Sequence, residues 1–366
     1  MATKDLPSLM TPLELAEGVR TANRMVMPPL VIWRSDKSGR VKDYHLRHYS
    51  ESAPGAGLVI VEATCVSPEG RLAASQLGIF EDSQIPGLTD LARLLSRSGA
   101  IPGIQLHHAG GRSDTEKNYG RTPVAPSAGE GEGEELTEEG VLRLIGCFIT
   151  AGRRAVDAGF KLLEIHGAHG YLGSQFLSPR TNRRQDRWGG SLENRLRFLT
   201  EIVGGLRREL RGEAIVSVRL GVAEKGEDGL LLEEGVEAAR SLEAAGCEMI
   251  HVSHGGSMPE AIDPDSPFDP LLQLAGPVKE AVSVPVIGIG GIRSPEQAQA
   301  ALSRGVCDLV ASGRAILADP GYARKIVEGK TDQIVTCVQC KPRCFHYKEP
   351  ARCPTRNHLG IQPPGL

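Results

Sequence analysis

Aromatic residues make up only 4% of the 366-residue chain, and Trp33 and Trp188 are its only tryptophans. So few rings argue against an aromatic cage for a cationic amine. No stretch approaches the roughly 18 consecutive apolar residues of a membrane helix. The N-terminal MATKDLPSLM has no apolar signal core. The chain is therefore expected to be soluble and cytoplasmic, with no membrane partner. A net charge of -3 provides no basic footprint for nucleic acid. No repeat of about 20–50 residues is visible, which argues against a solenoid. No G-x-G-x-x-G follows an early strand, so a separate dinucleotide domain is not expected. No Ser or Cys stands in a nucleophile-elbow context.

Short apolar runs alternate with longer amphipathic stretches. The runs predict strands at Arg24–Met27, Leu58–Glu62, Ile101–Leu106, Leu162–Ile165, Ile215–Arg219, Met249–Val252, Val286–Ile289 and Leu309–Ala311. Helices are expected at Tyr44–Ser52, Pro86–Ser98, Glu138–Ala158, Leu192–Arg211, Glu233–Ala245, Leu271–Ala281, Pro295–Ser303 and Tyr322–Glu328. Thr137, Ser191 and Ser294 stand at N-cap positions. Gly159, Gly212, Gly246 and Gly305 stand just past helix ends. Eight strands, each with a following helix, predict an α/β fold of the (β/α)8 TIM-barrel type over residues 1–330. Residues 110–136 are rich in Gly, Pro and charge. They read as one long irregular loop, either a lid or a surface insertion, with a solvated acidic run at Glu130–Glu135.

The most informative stretch is 161–198. The strand ending at Ile165 runs straight into His166, His169 and Tyr171. In parallel α/β folds the C-terminal ends of strands carry the active site. Two imidazoles that donate to an anionic oxygen, beside a phenol able to deliver a proton, suit polarisation of a carbonyl. Asn182, Arg184, Asp186 and Arg195 read as a hydrogen-bond network supporting the loop. A zinc hydrolase would need His-x-His after an early strand, yet the first strand ends in Pro28-Pro29, and the adjacent His107 and His108 point to opposite faces. Gly288-Ile-Gly290-Gly291 follows the seventh strand and Ser312-Gly313-Arg314 the eighth. Glycine backbone N–H groups and an Arg fork at those two loops predict a phosphate-bearing ligand. Carbonyl polarisation together with a phosphate-anchored cofactor points to redox chemistry on an activated alkene.

Over residues 10 to 330 the chain resembles the old yellow enzyme family of FMN-dependent oxidoreductases. The matching residues are Asn23-Arg24 with Met27-Pro28-Pro29, Gln105-Leu106-x-His108-Ala109-Gly110, His166-Gly-Ala-His-Gly-Tyr-Leu through Asp186-Arg-Trp-Gly-Gly-Ser-Leu-Glu-Asn-Arg-x-Arg-Phe, and Gly313-Arg314. The resemblance implies FMN over the strand ends, with Pro28, Pro29 and Ala63 facing the flavin and Gln105 on its pyrimidine edge. It also implies Arg219 near N1, with Gly290, Gly291, Gly313 and Arg314 on the phosphate. His166 and His169 would bind a substrate carbonyl oxygen, and Tyr171 would protonate the alkene carbon opposite hydride attack. His254 is either a substrate contact or a turn residue. Val31 departs from the family pattern, which often places Thr or Cys there to touch the flavin.

The eight cysteines divide in two. Cys65, Cys147, Cys247 and Cys307 sit among apolar neighbours and read as small buried hydrophobes. Cys337, Cys340, Cys344 and Cys353 crowd the tail, residues 331–366, as C-x2-C-x3-C with a fourth after eight intervening residues. The tail resembles that of the 2,4-dienoyl-CoA reductase and trimethylamine dehydrogenase branch, where such a run holds a [4Fe–4S] cluster. Zinc or free thiols are the alternatives. Two functions stay open. One is an ene-reductase acting on an α,β-unsaturated carbonyl or enoyl thioester. The other is a flavin dehydrogenase of the amine dehydrogenase type passing electrons through a tail cluster. The implied partners are NAD(P)H or an electron-transfer protein (a separate FAD/NAD(P)H subunit), and a homo-oligomer is compatible with the sequence.

Overall fold

The computed structural model describes residues 7–116, 118–129, 133–340, 344, 346 and 350–358. The eight expected strands all form: β1 (Met25–Met27), β2 (Leu58–Cys65), β3 (Ile101–His107), β4 (Leu162–Gly167), β5 (Ile215–Gly221), β6 (Met249–Ser253), β7 (Val286–Ile289) and β8 (Leu309–Ala311). They pair in parallel, each with its sequence neighbours, and β8 returns to β1 to close the barrel. This is a (β/α)8 TIM barrel.

Side chains alternate across each strand. Val26, Leu58, Ile60, Leu162, Ile215, Met249, Ile287 and Leu309 pack together inside the barrel. Each such aliphatic side chain contributes roughly 1.5–3 kcal/mol by leaving water. A hairpin, Leu13–Ala16 with Val19–Thr21, inserts Leu15 into this interior cluster. The opposite faces of the strands pack against the helices in a second, larger core.

Local chemistry explains the helix ends. Thr137 accepts from Gly140 N at 3.1 Å, Ser191 from Asn194 N at 3.3 Å and Ser294 from Gln297 N at 3.4 Å. Gly159, Gly212, Gly246 and Gly305 all adopt positive φ, from 68° to 101°, where a side chain would be strained.

The structure corrects three expectations. Leu271–Ala281 is two helices, Pro270–Gln273 and Ala275–Ala281. Pro277 has no N–H to donate to Gln273, so the first helix stops there. The loop at 110–136 is not wholly irregular. Gly110–Arg112 forms a 3-10 turn, and Val124–Ala125 pairs with Glu134–Glu135. Arg184 fastens this pair to the barrel, donating to the carbonyls of Pro126 (2.8 Å) and Leu136 (2.6 Å). Arg183 donates to Ala128 O at 2.8 Å. Glu134 and Glu135 are exposed, while positions 130–132 of the acidic run lie outside the described residues. Cys65, Cys247 and Cys307 are buried, but Cys147 is only half-buried. No helix is long and apolar enough to cross a membrane, among the described residues.

Candidate active site at the strand ends

β4 places Glu164 and His166 two residues apart, on the inner face of the barrel. The chain then turns back on itself. His169 takes φ 62° and Gly170 φ 72°, and a short helix, Leu172–Leu177, begins. Phe176 stacks on Phe198 at 4.4 Å between ring centroids, which anchors that helix to Leu192–Leu210. The turn brings His166 and His169 to 5.0 Å, ring to ring, with Tyr171 5.0 Å from His166.

The hydrogen bonds assign the protons. The Ala168 N–H points at His166 Nδ1 at 3.3 Å, so neutral His166 carries its proton on Nε2. His166 Nε2 lies 3.3 Å from His169 Nδ1, and His169 Nε2 lies 2.7 Å from Ser253 Oγ. Both imidazoles are held well below the usual histidine range, first by burial and then by Arg219 and neighbouring imidazoles. They are therefore neutral donors at physiological pH. Burial pushes the Tyr171 phenol up, opposed by Arg112 and Arg219, so it keeps its proton. His254 is brought in as well, its ring 5.0 Å from that of His169.

The remaining candidates surround this centre. Pro28 and Pro29 are buried just beyond β1, and Ala63 is buried within β2 with its carbonyl held by Gln76 at 2.9 Å. Gln105 donates to Glu164 at 2.7 Å, and His251 holds the other Glu164 oxygen at 2.7 Å. Arg219 pairs in register with His166. Its guanidinium is buried, its Nε has no partner, and burial lowers its pKa. Gly290 (φ 134°) and Gly291 (φ 64°) follow β7, and a Cβ on Gly291 would stand 2.7 Å from Asp269 Cβ. Gly313 and Arg314 open the helix Gly313–Ala318 immediately after β8. Val31 is half-buried in the loop after β1.

A buried arginine with an unmade bond on β5, a side-chain amide on β3 and a glycine pair after β7, all on one end of the barrel, together fit a phosphate-bearing planar cofactor such as FMN. Arg219 and Gln105 offer polar edges for the ring system, and the positive φ of Gly290 and Gly291 sets a tight backbone turn after β7. A cavity of about 290 Å³ adjoins the histidine turn, lined by Gly170, Arg112, Gln175, Arg180, Glu224 and Ser257.

Several residues of the site escaped the sequence reading. His107 packs edge-on against Tyr171 (4.6 Å) and His166 (5.2 Å), with both ring nitrogens unpartnered. Ser253 comes from β6, 84 positions from the histidine it touches. Glu62 accepts the backbone N–H of Ile32 at 3.2 Å and also that of Trp33, fixing the loop after Pro29. Burial pushes its carboxyl up to about 8. Arg112 lies 6.0 Å from the Tyr171 ring centroid.

The tail is less complete. Cys340 Sγ lies 3.6 Å from His346 Nε2, Cys337 and Cys344 are half-buried, and Cys353 is buried. Burial raises the Cys344 thiol first, and Cys337, Cys353 and Cys340 raise it further. They are not closed into a site. Among the described residues no three or more His, Cys, Asp or Glu gather closely enough to hold a metal.

Barrel, neutral donor pair and glycine cradle together define a class, the flavin-type oxidoreductase barrels. The chain belongs to the NADH:flavin oxidoreductase / NADH oxidase family, the old yellow enzymes, whose family model matches residues 8–333. It is 38% identical over 334 residues to an NADH oxidase of Thermoanaerobacter brockii, covering 88% of this chain and 51% of that protein. It is 37% identical over 310 residues to an NADPH dehydrogenase of Geobacillus sp. (strain WCH70), covering 83% and 89%. A solved 2-naphthoyl-CoA reductase in complex with 2-naphthoyl-CoA superposes with a TM-score of 0.84 at 30% identity, covering 93% of this chain and 55% of that one. The chain thus spans about half the length of two of these proteins and most of the third.

Proposed function

We propose that the chain reduces the C=C bond of an α,β-unsaturated carbonyl compound or enoyl thioester, taking its electrons from NAD(P)H or from an external donor. The observation that carries the reading is the meeting of two uncharged imidazoles and a protonated phenol at the barrel mouth. Pro28, Pro29, Ala63, Gln105, Arg219, Gly290, Gly291, Gly313 and Arg314 would hold FMN, which would supply hydride when reduced. His166 and His169 donate N–H bonds to the substrate's carbonyl oxygen. Charge grows on that oxygen as the β-carbon accepts hydride, and preorganised donors stabilise it. Tyr171 holds the proton for the α-carbon. Arg219 sets a buried positive charge beside the site. Arg112 and His254 form walls of the substrate space.

The amine dehydrogenase reading gains nothing from the site. Trp188 is fully buried, with Arg187 over its ring at 4.7 Å, and is unavailable to cage a cation. For the tail, we read Cys337, Cys340, Cys344 and Cys353 as ligands of a [4Fe–4S] cluster. Their C-x2-C-x3-C spacing, with Cys353 following, supports this. An electron-transfer protein would be the matching partner.

An anaerobic spectrum with iron and acid-labile sulfide assays tests both parts. Flavin bands that bleach with NAD(P)H and return on adding an enone support the reductase. About four irons per chain support the cluster. Flavin without iron removes the cluster and leaves a self-sufficient NAD(P)H enzyme. Absence of flavin removes the whole reading.

A further inference from the structure

We propose a second binding site on the rim of the barrel, between the loops after β1, β2 and β3, that takes the ribose phosphomonoester of a coenzyme-bearing reactant. A cavity of about 320 Å³ lies there, lined by Lys37, Arg71, Phe80, Glu81 and Arg121 among others. Three cations thus face one carboxylate. Glu81 accepts from Ser83 Oγ at 2.5 Å, and the nearby Asp36 is taken by Lys42 at 2.5 Å. Lys37 and Arg121 are exposed, and neither makes an ion pair among the described residues.

Arg71 makes this a built site rather than a charged surface. It is 2% exposed, its Nη2 donates to Lys37 O at 2.8 Å, and its Nε has no partner. The Phe80 and Tyr119 rings hold its guanidinium at 4.9 and 5.7 Å. A buried guanidinium with an unmade bond is costly, and the three cations here share a single lining carboxylate. A dianionic phosphate answers both: it accepts from the Arg fork, and Lys37 and Arg121 close on it as point charge and second fork.

The hollow is linked to the reaction centre through the loop after β3. Ser113 Oγ donates to Arg71 O at 2.6 Å, and the preceding residue is Arg112, beside the Tyr171 ring. A reactant whose reacting end lies at His166 and His169 could place a distant phosphate here only if it is long. Resting on the proposed reductase, two reactants qualify. NADPH carries a ribose 2′-phosphate, and a coenzyme A thioester carries a ribose 3′-phosphate. The recognised chemistry is the same.

Titration calorimetry on the full-length protein separates them without requiring turnover. Adenosine 2′,5′-bisphosphate and adenosine 3′,5′-bisphosphate are each compared with 5′-AMP, in the wild type and in the surface double variant Lys37→Ser/Arg121→Ser. At least one bisphosphate is expected to bind about tenfold or more tightly than 5′-AMP, and the double variant to lose that advantage. Preference for the 2′,5′ isomer assigns the site to the reductant, and preference for the 3′,5′ isomer assigns it to a thioester. Equal binding of all three nucleotides, or a preference that survives the double variant, overturns the proposal. A flavin-free protein that still prefers a bisphosphate would sink the reductase reading and leave the phosphate site standing.

Discussion

The most searching prediction concerns Ser253, which contacts neither the candidate substrate position nor the cofactor residues directly. In the resting site His166 donates from Nε2 toward His169 Nδ1, and His169 Nε2 meets Ser253 Oγ at 2.7 Å. For both imidazoles to donate to one carbonyl oxygen, His169 must carry its proton on Nδ1. Its Nε2 must then accept, and the Ser253 hydroxyl is the donor within reach. Ser253→Ala leaves that nitrogen unpaired against the fully buried end of β6. An unsatisfied buried polar group costs about 1–3 kcal/mol. If that cost falls on the substrate-bound form, kcat/KM drops roughly 5- to 150-fold. Stopped-flow oxidation of dithionite-reduced enzyme by a cyclic enone measures it. Reoxidation by oxygen, which needs no carbonyl contact, is the control and should stay unchanged. Ser253→Thr keeps the hydroxyl and should recover most of the rate. A Ser253→Ala enzyme within twofold of wild type would refute the tautomer argument.

Three further outcomes follow from the same geometry. Tyr171→Phe keeps the ring packed against His107 and His166 but removes the proton, so enone reduction should fall by about 10²–10⁴ while the flavin still bleaches with NAD(P)H. An unchanged rate would move the proton donor elsewhere. Arg184→Ala frees the carbonyls of Pro126 and Leu136 and should cost roughly 3 kcal/mol in urea unfolding, with little change in chemistry at the histidines. A wild-type midpoint would show that the loop holds itself. Stability should also fall with acid. His48 and His107 are pushed down to about 3 and His45 and His108 to about 4, while His166, His169 and His251 are lowered too, in each case first by burial. Their folded pKa values lie below the unfolded one, so the unfolded chain binds more protons once pH drops beneath about 6.5. Each imidazole then removes up to about 1.4 kcal/mol per pH unit, a loss that ends only as pH reaches its folded pKa. Glu62, raised to about 8, acts in the opposite sense between its unfolded pKa and 8, one group against seven. Urea midpoints at pH 8 and 5.5 check this, and a flat profile would contradict it.

Much of the barrel was legible because its signals are local. Leu162–Ile165 is a continuous apolar run, and Thr137, Ser191 and Ser294 announce their helices before any tertiary contact forms. Pro277 carried a legible warning that the expected helix at 271–281 would break, since a helix interior cannot spare its N–H. What stayed hidden depends on contacts distant in sequence. Nothing near Ser253 marks it as the partner of His169, and nothing near Pro126 shows that Arg184 will hold it. The helix Leu172–Leu177 is too short to show a period, and it forms where Phe176 meets Phe198. His166, His169 and Tyr171 were readable as a group, but their neutrality was not, because burial sets it. In the tail, spacing named four cysteines, and spacing alone does not close four thiols into a site.

The most direct test of the central claim is a single anaerobic titration of the purified protein. NADPH is added until the flavin absorbance is bleached, and an α,β-unsaturated ketone is then added. The expected result is full return of the oxidised spectrum with formation of one equivalent of saturated ketone, and loss of that return in a His166→Ala/His169→Ala variant that still bleaches with dithionite. Bleaching that no enone reverses in the wild type, or equal recovery in the double variant, would contradict the assignment of the histidine pair as the carbonyl-binding centre.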